Sequence, residues 1–208
     1  MSVAPTHGDI DIADLRAAIL RLAEAMEAAF DTLNAADGAL GDGDLGVTMT
    51  RGMRLLREGA DALPDDLGLA LLACAQGFTK ASGSSYGTLT ATGLMAVAKA
   101  VKGRTTVEAA EVSGLVALAR DAMQARGKAD LGGKTVLDSL DAVAGATAGL
   151  TDRGAVAKAA VAAVQAAMET FRDRPATIGR ARIFAEKSRG MDDPGMLAMR
   201  LIVEAVAE

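Results

Sequence analysis

The sequence predicts an all-α domain, on three observations. Hydrophobic residues make up 50% of the 208, yet only 2% of the chain is aromatic. Alanine, leucine, valine and methionine supply the apolar mass instead, and alanine and leucine suit closely approaching helices, whereas strands favour β-branched and aromatic side chains. Apolar residues recur at steps of three and four along successive segments, the period of a helix face, and no segment shows the regular alternation of a half-buried strand. A chain of this length buries one sound core, so residues 1–208 read as a single domain with a flexible tail over 1–9.

The elements follow in order. Leu15, Ile19, Leu22, Met26, Phe30 and Leu33 form one stripe, which predicts a first helix over roughly 10–34. A loop dense in glycine and aspartate follows over 37–46, where glycine at that frequency argues against a helix. A second helix carries Met49, Met53 and Leu56, and Pro64-Asp65-Asp66 turns into a third with Leu67, Leu71, Leu72 and Phe78. The small-residue loop 81–85 leads into a helix beginning near Tyr86, and Thr105-Thr106 offers a capping threonine for the next, with Val112, Leu115, Val116 and Met123. The loop 125–133 opens a helix with Val136, Leu137, Leu140 and Val143, and Val156, Ala160, Val164, Met168 and Phe171 make a further stripe. Asp193-Pro194 starts the last helix, with proline at its first position. The expected architecture is a bundle of about eight amphipathic helices, whose short connections favour antiparallel neighbours.

Composition limits the function. A net charge of −5 argues against a nucleic-acid backbone as the main partner. The single cysteine, Cys74, lies in an apolar run and reads as a small core residue, which suits a reducing compartment. The N-terminus lacks the basic start and apolar run of a signal peptide, and charges such as Lys99 and Lys158 interrupt apolar stretches before the ~20 residues of a membrane span. A soluble cytoplasmic protein is expected.

The chemistry is expected in the loops. Asp37, Asp42 and Asp44 are spaced so that no helix face would hold all three, but Gly38, Gly41 and Gly43 give the backbone freedom to turn the carboxylates inward. Three carboxylates converging without basic partners repel unless a cation neutralises them, and Mg²⁺ commonly completes such a shell with water and phosphates. Taken alone, the loop reads equally as a polar turn with capping aspartates. It is not an EF-hand, because the twelfth position from Asp42 is Met53 where the calcium loop needs glutamate. Gly133-Lys134-Thr135 is not a P-loop either. Position 128 is lysine where that pattern needs glycine, and no strand precedes it. Its glycines could still present helix N-terminal N–H groups to a phosphate or base.

Four motifs in register resemble the L subunit family of two-component dihydroxyacetone kinases. They are Asp37…Gly41-Asp42-Gly43-Asp44-x-Gly46 followed by Met49 and Arg51-Gly52; Ala81-Ser82-Gly83-x-x-Tyr86-Gly87-Thr88; Lys134-Thr135-x-Leu137-Asp138; and Gly179-Arg180-Ala181…Asp193-Pro194-Gly195. The resemblance covers nearly the whole chain. It implies a closed barrel of eight antiparallel helices, with a nucleotide (ATP or ADP) and two Mg²⁺ ions held by loops at one end. Asp37, Asp42 and Asp44 would ligate the ions. Leu45 would lie beside the phosphates, Gly46, Val47 and Thr48 would touch phosphate or ribose, and Ser82 and Gly83 would supply phosphate donors. Gly127, Thr135 and Val136 would line the base pocket, and Arg180, Asp193, Pro194 and Gly195 would close over the nucleotide.

The family also implies a partner. A separate K-type subunit holds the ketose covalently through a histidine, and this chain's single histidine, His7, precedes the first helix. A phosphotransferase-system protein is a possible phosphoryl donor, which would make ADP a recharged cofactor. Three positions depart from the family pattern: Leu45 stands for histidine, Ser84-Ser85 for Pro-Leu, and Gly133 for aspartate. The alternatives are a kinase subunit for a four-carbon ketose such as erythrulose, and a nucleotide-sensing interaction protein without turnover.

Overall fold

The computed structural model describes residues 8–81 and 83–208. Among them are nine α-helices: α1 (Ile12–Ala28), α2 (Phe30–Leu40), α3 (Leu45–Gly59), α4 (Leu67–Ala81), α5 (Ser85–Ala100), α6 (Val112–Gly127), α7 (Val136–Thr147), α8 (Arg153–Arg172) and α9 (Pro194–Ala207). Two short strands, β1 (Asp9–Asp11) and β2 (Thr106–Glu108), pair antiparallel with Ile10 opposite Val107.

The helices close into a ring. α1 packs on α3, α3 on α4, and each helix then packs on its successor until α9 returns to α1. With α2 counted as the continuation of α1, the ring has the expected eight members. Its interior is filled by one large cluster that includes Ile19, Met26, Leu33, Met49, Phe78, Met168 and Met196. A second cluster lies between α6 and α7, with Met123, Val136, Leu137 and Leu140. Arg21 of α1 closes the seam by donating from Nε to the Ala205 carbonyl at 2.9 Å and from Nη2 to that of Val206 at 3.3 Å. These are carbonyls of the last turn of α9, which have no helical partner of their own.

Local chemistry sets the helix starts. Asp11 and Asp14 form a capping box at α1, and Thr135 and Asp138 form another at α7. Ser84 caps α5, Asp152 caps α8, and Asp193 caps α9 with Pro194 behind it. Short connections reverse the chain at each step, so every second connection returns to the same end. The connections after α2, α4, α6 and α8 therefore meet at one end of the ring, and the β1–β2 pair lies at the other.

Three expectations need correction. The first helix does not end near 34: it breaks at Ala29 (φ −91°, ψ 5°) and resumes to Leu40. Only Gly38 falls within that extension, at a cost of about 1 kcal/mol relative to alanine, and the extension buries Leu40 against Ala176 and Ala181. Asp37 accordingly sits in a helix and not in a loop. Thr106 is no cap: it pairs with Asp11 in the small sheet, and Glu108 with Glu111 forms the capping box ahead of α6. Strands of three residues are too short to show alternation. Asp9, placed by sequence in the tail, also belongs to that sheet, while residues 1–7, His7 included, lie outside the described residues.

α4 buries the small residues Ala70, Cys74 and Ala75 between Leu67 and Phe78, whereas Leu72 is exposed. Burial pushes the Cys74 thiol up to about 11, which keeps it protonated and inert. A Cβ on Gly68 would lie 2.4 Å from Lys102 Cα, so this glycine lets α4 approach the end of α5. Gly114 of α6 has nothing within 4 Å of that position. Gly68→Ala is therefore expected to destabilise the fold by about 1–3 kcal/mol, and Gly114→Ala to stabilise it by about 0.5–1 kcal/mol. Urea denaturation of the two variants checks both signs.

Candidate functional site

The site begins with the start of α3. The backbone N–H groups of residues 44–47 precede the first intrahelical bond, from Thr48 N–H to the Asp44 carbonyl at 2.9 Å. Two side chains of α2 accept all four. Asp37 Oδ2 takes Asp44 N–H at 2.9 Å and Leu45 N–H at 3.3 Å, and Asn34 Oδ1 takes Gly46 N–H at 2.8 Å and Val47 N–H at 3.3 Å. Asn34 was not singled out from the sequence, although it lies one turn before Asp37 on the same helix face. Glycines make the turn possible. A Cβ on Gly41 would lie 2.3 Å from Asp37 Oδ1, one on Gly46 would lie 2.3 Å from the Phe30 carbonyl, and Gly43 has φ +79°.

This turn gathers the aspartates. One carboxylate oxygen each from Asp37, Asp42 and Asp44 lies within 4.8 Å of the others. Burial, followed by the charges of Asp42 and Asp37, pushes the Asp44 carboxyl above its ordinary value. Contrary to the expectation of a cluster without basic partners, Arg180 forms an ion pair with Asp42 and holds that carboxyl below its ordinary value. Arg180 arrives from the α8–α9 connection, far away in sequence. The donor set fits a hard divalent cation: oxygen ligands only, anionic, and opening onto a cleft.

The cleft has a volume of about 640 Å³. All four connections at this end of the ring line it, through Asp42, Ser84, Ala129 and Arg180 among others. Its lining also includes the apolar Leu89, Met123, Ala129, Val136 and Ile178, together with Gly127 between Arg126 and Lys128. Thr135 presents the start of α7, where Asp138 accepts from Gly132 N–H at 2.5 Å and from Thr135 N–H at 2.7 Å. Asp193, 8% exposed, caps α9 by accepting from Met196 N–H at 2.9 Å, and Tyr86 Oη donates to the Gly195 carbonyl at 3.4 Å. A smaller recess of about 280 Å³ adjoins, lined by Val47, Thr48 and Arg51, and shares Asp44, Gly83, Ser84 and Arg180 with the cleft.

Of the residues expected to hold a nucleotide, Leu45, Gly83, Gly127, Thr135, Val136, Arg180, Asp193, Pro194 and Gly195 line the cleft, and Val47 and Thr48 line the recess. Gly46 faces α2 and lines neither, with its N–H already bonded to Asn34. Ser82 lies outside the described residues.

The three departures acquire physical meanings here. The Leu45 side chain is buried and packs into the central cluster that holds Met49. Ser84 accepts from Gly87 N–H at 3.1 Å and so caps α5. A Cβ on Gly133 would lie 2.7 Å from Ile178 Cδ1, so the absence of a side chain there leaves Ile178 its place among the apolar lining residues.

The sequence pattern of the DAK2 domain family matches residues 39–208. This chain belongs to the DAK2 domain family. A relative from Listeria innocua, the ADP-binding subunit DhaL of PEP-dependent dihydroxyacetone kinase 1, is 30% identical over 83% of this chain and 83% of its own length. The human triokinase/FMN cyclase is 33% identical over 85% of this chain, and the L-erythrulose kinase of Pectobacterium atrosepticum 30% over 82%. Against those longer proteins this DAK2 domain spans only 31% and 30% of the length. The dihydroxyacetone kinase of C. freundii in complex with AMP-PNP and Mg²⁺ matches all of this chain and 36% of its own, at a TM-score of 0.72 and 22% identity, a likeness of fold.

Two expected outcomes follow from the geometry. Asn34→Ala leaves two N–H groups at the start of α3 without their acceptor and should cost about 1–3 kcal/mol, measured by urea denaturation. Burial raises the Asp193 carboxyl from 3.8 to about 6. A raised acid binds its proton more tightly in the folded chain, so its contribution to stability is full below about pH 4 and is lost as pH rises through about 6. Asp193→Asn keeps a capping oxygen but cannot titrate. Its stability relative to wild type should rise between pH 4.5 and 7.5, and a difference that does not change with pH would contradict the assignment.

Proposed function

We propose that this chain is the nucleotide-binding subunit of a kinase for dihydroxyacetone or a related short ketose. It holds Mg-bound ATP or ADP in the cleft and presents phosphate to a ketose carried on a separate K-type subunit. The observation that carries this reading is that one cleft is lined both by three convergent carboxylates and by a group of apolar residues from the α5–α7 ends and Ile178. A nucleotide is polyanionic at one end and carries a flat base at the other, and the two kinds of lining match that asymmetry.

Asp37, Asp42 and Asp44 would hold two Mg²⁺ ions, which when bound neutralise phosphate charge and polarise the group being transferred. Asp37 keeps its carboxylate fixed by accepting the α3 N–H groups, so the cluster is positioned before any ligand arrives. Gly83 offers backbone at the mouth, and the Arg180 guanidinium stands where phosphate charge would gather. Gly127, Val136 and Ile178 shield the base from water, while Thr135 and Asp193 fix the helix starts between which it lies.

The PEP-dependent, ADP-binding descriptions of the Listeria innocua and Escherichia coli relatives favour ADP as a resident cofactor. A phosphotransferase-system protein would then recharge it. The L-erythrulose kinases among the relatives support a four-carbon ketose as an alternative substrate of the assembled enzyme. Titration calorimetry with ADP, with and without Mg²⁺, tests the common core of these readings. Micromolar, Mg-dependent binding is expected, weakened at least tenfold by Asp42→Asn with unchanged helicity. Equal affinity of that variant would remove the aspartates from the metal site.

A further inference from the structure

Lys134 is buried, with 1% of its surface exposed, and does not line the cleft. Its backbone takes a left-handed conformation (φ 63°), which turns the side chain away from the start of α7. The ammonium donates to three backbone carbonyls: Arg172 at 2.9 Å, Arg174 at 3.0 Å and Ser188 at 2.8 Å. All three donors of the ammonium are thereby used, and none meets a carboxylate. A buried cation is costly to desolvate, so its retention here calls for a role that an apolar side chain could not fill.

Those carbonyls flank a single feature. Residues 174–188 form a compact Ω-type loop between α8 and α9, with its two ends side by side. Gly190 N–H donates to the Arg172 carbonyl at 2.9 Å, Ala176 N–H to Ser188 Oγ at 2.7 Å, and Arg189 Nη1 to the Asp173 carbonyl at 2.6 Å. Between these ends, residues 177–182 all line the cleft, Arg180 among them. Thr177 N–H also donates to the Gly133 carbonyl at 3.2 Å, so the loop is tied to the residue beside Lys134.

We propose that Lys134 is a positioning residue that pins the neck of this Ω loop and thereby sets Arg180 at the carboxylate cluster. It acts through Arg180 and touches neither nucleotide nor metal. The pin follows from the geometry alone; its effect on ligand affinity rests on the nucleotide reading.

Hydrogen exchange on the nucleotide-free protein tests the pin. Lys134→Met is expected to speed exchange at least tenfold over 174–190 and to leave α1 and α3–α5 unchanged. Unaltered protection in the loop overturns the proposal, as does uniform acceleration through the fold. Ser188→Ala removes a second tie at the neck without touching the lysine, and it should give a smaller effect over the same segment. Should Lys134→Met not fold, Lys134→Gln, which removes the charge and cannot donate to all three carbonyls, carries the test, and failure to loosen 174–190 overturns the proposal. Mg-ADP calorimetry tests the route through Arg180. Lys134→Met should weaken binding at least fivefold in the wild-type background and less than twofold in an Arg180→Ala background. Equal losses in both overturn the coupling. Wild-type protein that does not bind Mg-ADP, with exchange localised as expected, overturns the nucleotide reading and supports the pin.

Discussion

The start of α3 leaves four backbone N–H groups without helical partners, and Asn34 and Asp37 of the preceding helix accept them all. Unpaired, these donors would impose a desolvation cost on the part-buried junction and leave the turn between the helices loose. Paired, they fix the angle of entry into α3 and hold the Asp37 carboxylate in one place. Asp42 and Asp44 lie on the turn so defined, and their convergence with Asp37 depends on it. Gly46 permits the same closeness from the other side, since any side chain there would strike the Phe30 carbonyl. One capping arrangement thus serves stability and candidate chemistry together.

The site also depends on the parity of the fold. Helices that reverse at each short connection return every second loop to one end, so segments distant in sequence become neighbours around one cleft. The aspartate turn contributes charge, the α6–α7 connection and the helix ends beside it apolar surface, and the long α8–α9 connection an arginine. Closing the ring through α1 and α9 fixes these loops and helix ends relative to one another, which is why a cleft built of connections and the helix ends beside them can have a defined shape.

The departures from the family pattern are absorbed by packing and capping while the acidic cluster stays whole. Leu45 joins the central cluster, Ser84 caps α5, and Gly133 yields its space to Ile178. Each change sits beside the cleft and substitutes a structural solution for a polar or bulky group. The carboxylate geometry is compatible with all three, because Asp37 is held by backbone donors that none of these side chains supplies.

The sequence by itself determined the helices and most of their starts, because apolar period, capping aspartates and serines, and Pro194 act over a few residues. It also marked Asp37, Asp42 and Asp44 as able to converge, since the glycines that free the backbone are their neighbours, although without the family resemblance the same residues read equally as a polar turn. Local signals misjudged the end of the first helix, where Leu40 reaches a partner at Ala176 and Ala181 that only the folded chain brings near. They placed Asp9 in a tail and Thr106 at a cap for the same reason, as each gains its partner across the sheet. Tertiary structure alone decided that Arg180 meets Asp42, that Asn34 serves a helix twelve residues on, and that Lys134 turns from the cleft to three carbonyls at the end of α8 and in the connection after it. Long-range pairing is set by which loops share an end of the ring, and that depends on the packing of every helix between them.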